Sequence, residues 1–107
     1  MTVINVDSAK WEEVVDGEKV IVDFYADWCG PCKMMAPIFE ELSEEYEDLK
    51  FVKLDTQNNQ ELSQKYGIQG IPALLVLEDG EEVDRIVGFN SKEALKNKID
   101  SILEDID

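Results

Sequence analysis

The fold is decided by the segment Val20-Ile21-Val22-Asp23-Phe24-Tyr25-Ala26-Asp27-Trp28-Cys29-Gly30-Pro31-Cys32. Its first six residues are apolar on both alternating faces except at Asp23, which predicts a central strand covered on both sides. A helical pattern begins near Lys33, so the cysteines stand at a strand-to-helix junction. They are the only two cysteines in the chain, and a Cys-x-x-Cys pair in this position predicts a dithiol/disulfide redox centre.

The composition predicts one globular domain over residues 1–107, with an apolar fraction of 44%. The longest apolar run, Ile71–Leu77, has the length of a strand and is far too short to span a bilayer. Residues Met1–Asn5 show none of the basic, apolar or small-residue features of an export signal. We therefore expect a cytoplasmic protein, and in that compartment a single cysteine pair is more often catalytic than structural.

The chain is strongly acidic, with 25 Asp and Glu residues against 10 Lys and Arg residues and a net charge of −15. This balance argues against nucleic acids and anionic membranes as partners, because both favour clusters of basic residues. Two explanations of the acidity remain open. One is solubility, and the other is electrostatic steering towards a basic face of a partner protein.

Hydrophobic periodicity and turn residues predict the element order βαβαβαββα, that is, a largely parallel sheet with helices on both faces and a final antiparallel hairpin. The predicted elements are a strand Thr2–Val6, a helix from a cap at Asp7 or Ser8 to about Val15, a strand Val20–Tyr25, a helix from near Lys33 to Tyr46, a strand Lys50–Asp55, a helix from an Asn58–Glu61 capping box to Tyr66, a strand Ala73–Leu77, a strand Glu82–Val87 after an Asp79-Gly80 turn, and a helix capped by Asn90 with Glu93. The second helix is expected to be kinked at Pro37 and to bury Met34, Met35, Ile38, Phe39, Leu42 and Tyr46.

The segment Trp28-Cys29-Gly30-Pro31-Cys32-Lys33 resembles the active-site signature of the thioredoxin family. The resemblance extends over essentially the whole chain, through Pro37, Lys53, Gly70-Ile71-Pro72, Asp79-Gly80 and Gly88. It implies an α/β thioredoxin fold, in which a mixed five-stranded sheet of order 1-3-2-4-5 carries four helices on its two faces. It further implies that strands 4 and 5 run antiparallel to the rest, and that Pro72 is cis and lies opposite the cysteines.

The same resemblance implies a thiol–disulfide oxidoreductase that reduces protein disulfides. A helix start offers free N–H groups and the positive end of the helix dipole, so a thiolate is favoured at Cys29. We expect Cys29 to attack and Cys32 to resolve the mixed disulfide, with the first sulfur reachable from solvent and the second shielded. No cofactor is expected. No metal is expected either, because two Cys and no His cannot make the usual zinc sites of about four ligands.

Two charged residues interrupt apolar strands, and the resemblance gives each a place near the cysteines. It implies that Asp23 lies beneath them and assists proton transfer at Cys32; complete burial raises the pKa of such a carboxyl group. It implies that Lys53 lies near this Asp. For Lys53 two interpretations stay open. Its ammonium group forms a salt bridge with Asp23, or its aliphatic chain lies along apolar surface while the ammonium group is solvated.

The resemblance also implies a flat binding surface for an extended protein substrate, formed by Trp28, Gly30, Pro31, Ile71, Pro72 and Gly88, with Phe89 beside them. The alternative for Trp28 and Ile71 is a place in the core. Ala73, Tyr25 and Phe89 depart from the commonest family pattern, and Phe89 bears most on partner choice.

The leading reading is a monomeric protein-disulfide reductase that is kept reduced by thioredoxin reductase. The second hypothesis is an oxidase or isomerase of the same fold. The resemblance implies that Pro31, between the two cysteines, favours the reductase instead. A binding module with an incidental dithiol is a third reading from a different class.

Overall fold

A five-stranded mixed sheet forms the centre of the molecule, in the order β1-β3-β2-β4-β5. The computed structural model describes residues 3–106. In chain order the elements are β1 (Val3–Asn5), α1 (Trp11–Val15), β2 (Lys19–Tyr25), α2 (Gly30–Ser43), β3 (Lys50–Asp55), α3 (Gln60–Lys65), β4 (Ala73–Glu78), β5 (Glu81–Val87) and α4 (Lys92–Ile106). The predicted element order and strand order are both confirmed.

The central strand is β2, as its two-sided apolar pattern predicts. It pairs in parallel with β3 and antiparallel with β4, and its residues from Val20 to Phe24 are buried. The side chains of Val20, Val22 and Phe24 pack in one core layer with Trp11 and Leu62, and hence with α1 and α3. Because side chains alternate between the two faces of a strand, those of β2 contribute to two core layers, one on each face of the sheet.

The second core layer lies on the other face of the sheet. There Ile21 packs with Met35 and Phe39 of α2 and with Leu95 and Ile99 of α4. Asp23 follows Ile21 by two positions and therefore shares the face that α2 and α4 cover. The helix that carries the cysteines and the buried aspartate are thus on the same side of the sheet.

One predicted strand direction is wrong. β4 is antiparallel to β2 as expected, but β5 is antiparallel to β4 and so runs in the direction of β2. The cause is the tight Asp79-Gly80 turn, in which both residues have positive φ, 52° and 82°. Such a turn reverses the chain between neighbouring strands, so β4 and β5 cannot run the same way.

Two predicted helix caps are wrong, because the amide side chains find other partners. Asn58 donates its side-chain N–H to the carboxylate of Asp55, and no side-chain cap hydrogen bond is made at the start of α3. The Asn90 side chain bonds elsewhere, and at the start of α4 it is Ser91 whose Oγ accepts a hydrogen bond from the N–H of Ala94 at 3.2 Å.

Several boundaries also differ from the predicted ones. Asp7 caps a turn, accepting from the Lys10 N–H, so that α1 begins only at Trp11. α2 begins at Gly30 rather than near Lys33 and ends at Ser43 rather than Tyr46. Pro37 lies inside α2, where the kink stays a prediction. Thr2, the first residue of the predicted opening strand, lies outside the described residues.

Candidate redox site

The two cysteines form the start of α2. Cys29 is the N-cap residue, and its Sγ accepts a hydrogen bond from the backbone N–H of Cys32 at 3.2 Å. Cys29 and Cys32 are joined as a disulfide, with their Cα atoms 5.2 Å apart. Pro31 fits the first turn because its fixed φ suits a helix and its missing N–H would lack an intrahelical partner there. α2 therefore begins earlier than predicted, since the sulfur itself caps it.

The predicted difference in exposure between the two cysteines is wrong. Both residues are 4% exposed. They pack in a small apolar cluster with Ala26, and Tyr25 and Ile71 cover it in part. Exposure of the whole residue therefore does not distinguish the two cysteines, whereas their hydrogen bonding does.

The segment opposite the cysteines is Ile71-Pro72, and its peptide bond is cis, as the resemblance implies. The carbonyl oxygen of Ile71 lies 3.8 Å from Sγ of Cys29. The next carbonyl oxygen, that of Pro72, accepts a hydrogen bond from the N–H of Gly88 at 2.8 Å. These contacts bring Cys29, the cis peptide and Gly88 together at one end of the sheet.

The surroundings of this end are apolar and open. Trp28 is 68% exposed, so its alternative place in the core is wrong. Gly30 and Pro31 are exposed, Ile71 and Gly88 are half-buried, and Pro72 is buried. Phe89 is 45% exposed.

Two further exposed apolar residues were not predicted as part of this surface. The helical pattern predicts Met34 on the buried face of α2, but it is exposed, whereas Met35 is fully buried. Val87, at the end of β5 beside Gly88, is exposed as well. The sequence does hold a signal for Met34, since the acidic face of α2 leaves room for only one of two adjacent methionines inside.

Asp23 is fully buried, and neither of its carboxyl oxygens has a hydrogen-bond partner among the described residues. Burial, which penalises the charged form, raises the pKa of Asp23 from 3.8 to about 7, and the nearby positive charge of Lys53 partly opposes this rise. A carboxyl group in this state holds or releases a proton near neutral pH. This is the protonation behaviour that a proton carrier needs.

Lys53 is the parallel-strand neighbour of Asp23, with the two residues in register between β2 and β3. Its ammonium lies over the ring of Tyr25, with Nζ 4.6 Å from the ring centroid. Within the described residues, no hydrogen bond joins this ammonium group to the Asp23 carboxyl group. The geometry therefore agrees better with a partly solvated ammonium group than with a salt bridge.

A small cavity of about 130 Å³ opens beside Cys32. Its lining includes Cys32, Lys53 and Tyr25, together with the exposed residues Asp27 and Lys33. This volume suffices for a few water molecules. The cavity therefore leaves room for water next to Cys32 and Lys53.

A dithiol at a helix start, a cis-proline opposite it and a buried carboxyl group on the same side of the sheet define the class of thiol–disulfide oxidoreductases. The comparisons with known proteins specify the family. The sequence profile described as Thioredoxin matches residues 2–101.

The chain is 55% identical over 85 residues to the thioredoxin of Bacillus subtilis (strain 168), covering 78% of this chain and 82% of that protein. It is 42% identical over 104 residues to the thioredoxin of Staphylococcus aureus (strain Mu50), covering 96% and 100%. Among solved structures, a mutant thioredoxin from Halobacterium salinarum NRC-1 superposes with a TM-score of 0.82 at 39% identity, covering 94% of this chain and 89% of that one. The chain belongs to the thioredoxin family.

Members of this family are protein-disulfide oxidoreductases, and this chain carries the cysteine pair that dithiol–disulfide exchange requires. Within residues 3–106, no helix combines the length and the apolar character needed to cross a membrane.

Proposed function

We propose that this chain reduces disulfides of other proteins, with Cys29 as the attacking residue and Cys32 as the resolving residue. The observation that carries the proposal is the hydrogen bond from the N–H of Cys32 to Sγ of Cys29 at the start of α2. In the reduced protein the same N–H and the helix dipole stabilise a thiolate on Cys29, and the thiolate is the nucleophile in disulfide exchange. Cys32 lies inside α2 and not at the N-cap position that Cys29 holds.

The reaction proceeds in two exchanges. The Cys29 thiolate attacks one sulfur of the target disulfide, which breaks and leaves a mixed disulfide with Cys29 and one target thiolate that takes a proton from solvent. Cys32 then loses its proton and attacks Sγ of Cys29, releasing the second target sulfur as a thiolate. The target gains two electrons, and the Cys29–Cys32 disulfide holds the oxidised state. The second exchange is intramolecular, and effective molarities of about 10⁵ M or more make it fast.

We assign to Asp23 the role of accepting the Cys32 proton. A pKa of about 7 leaves a large share of this carboxyl ionised at neutral pH, ready to take a proton. Its position on the face of β2 that α2 covers supports the assignment. Lys53 has a supporting role, because its charge keeps the pKa of Asp23 from rising further.

The target binds across the cysteines on a surface made by Trp28, Gly30, Pro31, Ile71, Pro72 and Gly88, to which Phe89 adds. The exposed indole and phenyl rings offer apolar contact area, and the chain at Ile71 offers a backbone carbonyl close to Cys29. An extended target segment fits such a surface because its backbone groups are free to bond there.

Thioredoxins are in general reduced by thioredoxin reductase, and we propose the same electron source for this chain, with no bound cofactor in the chain itself. We further propose that it acts as a single domain, residues 1–107, in monomeric form in the cytoplasm, with protein disulfides and not nucleic acids or membranes as partners. The net charge of −15 supports the last point.

Insulin reduction by dithiothreitol tests the proposal. We expect the wild-type protein to accelerate it and Cys29→Ser to abolish the acceleration. A Cys29→Ser variant as active as wild type would show that the dithiol is incidental and would favour a binding module.

A further inference from the structure

The segment Gly88-Phe89-Asn90 is held by its last residue. Asn90 is only 9% exposed, although it lies between an exposed phenylalanine and an exposed serine. Its side-chain Nδ2 donates to the carbonyl oxygen of Gly88 at 3.2 Å, and its Oδ1 accepts from Nζ of Lys98 at 2.8 Å. Its backbone N–H donates to Sδ of Met35 at 3.4 Å. Asn90 thus bonds to its own segment, to α4 and to α2.

These bonds continue to the redox site. Gly88, whose carbonyl is bonded to Asn90, donates its own N–H to the carbonyl oxygen of Pro72. Met35, which accepts from Asn90, is buried in α2 three residues after Cys32. The segment that carries Phe89 is therefore fixed at two points of contact with the cysteine and cis-proline region, and Lys98 fixes the Asn90 side chain that bonds to Gly88 between them.

Lys98 differs from its neighbours in what it binds. It is exposed, and its ammonium group donates to the neutral side chain of Asn90, whereas Lys92 and Lys96 of the same helix pair with Glu45. An ammonium group orients an amide firmly, because it can only donate and so requires the Oδ1 atom to face it. Nδ2 of Asn90 is then turned towards Gly88.

We propose that Asn90 and Lys98 form a clamp that positions Gly88 and Phe89 as one wall of the protein-binding surface. Both are positioning residues, since neither touches the sulfurs. The inference rests on the proposed function and deepens it: the clamp serves protein disulfides, whose chain extends over Phe89, more than small disulfides, which reach only the sulfurs. Targets with an apolar side chain next to their disulfide gain most from the fixed phenyl ring.

The test compares two substrates for the reduced full-length protein. Second-order rate constants are measured with insulin and with bis(2-hydroxyethyl) disulfide, following tryptophan fluorescence. Lys98→Met removes the ammonium but keeps an apolar stem. We expect the ratio of the insulin rate constant to the small-disulfide rate constant to fall about three- to ten-fold, which corresponds to the net contribution of one typical hydrogen bond. Asn90→Leu is expected to lower the ratio at least as much.

Two control variants distinguish positioning from a general structural effect. Lys98→Arg keeps a donor of the same charge and is expected to restore the ratio. Lys96→Met removes a different lysine of α4, one that pairs with Glu45 and Asp100, and is expected to leave the ratio as in wild type. Urea unfolding of each variant checks that the fold is retained, and because Lys98 is exposed we expect Lys98→Met to pass this check.

A Lys98→Met variant with the wild-type ratio would overturn the clamp while leaving the proposed function intact. So would a Lys96→Met variant with an equally reduced ratio. A wild-type protein that reduced neither disulfide would overturn the proposed function and the clamp with it.

Discussion

The carboxyl group of Asp23 couples the stability of this protein to pH. Its pKa is about 7 in the folded chain against an ordinary 3.8, so between these two values the folded state binds more protons than the unfolded state. Stability contributed by this residue is therefore highest below about pH 4 and falls as the pH rises towards and just beyond 7. Over that window the loss amounts to roughly 4 kcal/mol, at about 1.4 kcal/mol for each unit of pKa.

Asp23→Asn should remove this pH-dependent loss. We expect the variant to exceed wild type in unfolding free energy near pH 8 by about 1–3 kcal/mol, since the buried, unpartnered amide retains part of the desolvation cost. The gain should shrink as the pH falls to 4. Urea unfolding of both proteins at several pH values measures it.

Turnover with insulin should be slower in the same variant, because Asn cannot accept the Cys32 proton. An Asp23→Asn protein that was less stable than wild type at pH 8, or equally stable at all pH values, would contradict a buried carboxylate at this position.

Lys53 acts on this carboxyl group through its charge. Its ammonium lowers the pKa of Asp23, although burial has the larger effect in the opposite direction. Lys53→Met removes the charge and keeps the stem, so the pKa of Asp23 should rise further above its wild-type value. Titration of the Asp23 carboxyl carbon by NMR reports the shift. If the pKa of Asp23 stayed the same or fell, the ammonium group of Lys53 over Tyr25 would be too well solvated to affect it.

Among the elements, β5 is tied to α3 by the only arginine of the chain. Arg85 donates from Nη2 to the carbonyl oxygen of Tyr66 at 2.6 Å and from Nη1 to that of Gly67 at 3.4 Å. These carbonyls lie just beyond the last helical residue of α3, where the helix dipole favours a cation. Glu82 pairs with the same guanidinium and holds it in place.

Arg85→Lys should lower the unfolding free energy by about 1 kcal/mol, because a single ammonium cannot reproduce the planar fork. Thermal unfolding measures the loss, with Lys65→Met as the matched control: Lys65 is also near Tyr66, where it lies over the ring and not at the carbonyl. If the two substitutions lowered the unfolding free energy equally, the stabilisation would come from positive charge near Tyr66 and not from the planar guanidinium group of Arg85.

Elements were predictable where the sequence pattern is local. The two-sided apolar run of β2, the Asp79-Gly80 turn and the Cys-x-x-Cys spacing each carry their information within a few residues. The caps were not, because each Asn side chain has several polar groups within reach: Asn58 bonds to Asp55, three residues before it, and Asn90 bonds to groups on both sides of it in the chain. Asn90 bonds to Gly88 and to Lys98, eight positions further along, for this reason.

The binding surface was predictable only in part, and only by resemblance. Spacing alone identified Cys29 and Cys32. Val87 was missed because strand periodicity does not tell which face a neighbouring element leaves uncovered, whereas Met34 was missed although the acidic face of α2 signals its exposure. The equal burial of the two cysteines was missed because it depends on how Ile71 and Tyr25 pack around them.

For the whole molecule, the net charge of −15 predicts that salt stabilises the fold. Repulsion among 25 acidic residues is weaker in the expanded unfolded chain, and salt weakens it in both states by shortening the Debye length from about 30 Å at 0.01 M to about 3 Å at 1 M. We expect the unfolding free energy to rise by about 1 kcal/mol or more, or roughly 4–8 °C in Tm. A Tm that was constant or fell between about 0.01 M and 1 M NaCl would contradict this reading.

The order of action of the two sulfurs is tested by comparing Cys32→Ser with Cys29→Ser, each reacted in reduced form with an excess of a disulfide-containing protein and quenched with acid. Mass spectrometry of the mixed disulfides gives the rate at which each remaining cysteine is captured. Cys32→Ser should form a stable adduct at Cys29 at least about three times faster than Cys29→Ser forms one at Cys32, because only Cys29 caps the helix and the lower nucleophilicity of a more acidic thiol offsets part of its larger thiolate fraction. Equal rates, or faster capture at Cys32, would contradict the assignment of Cys29 as the attacking residue.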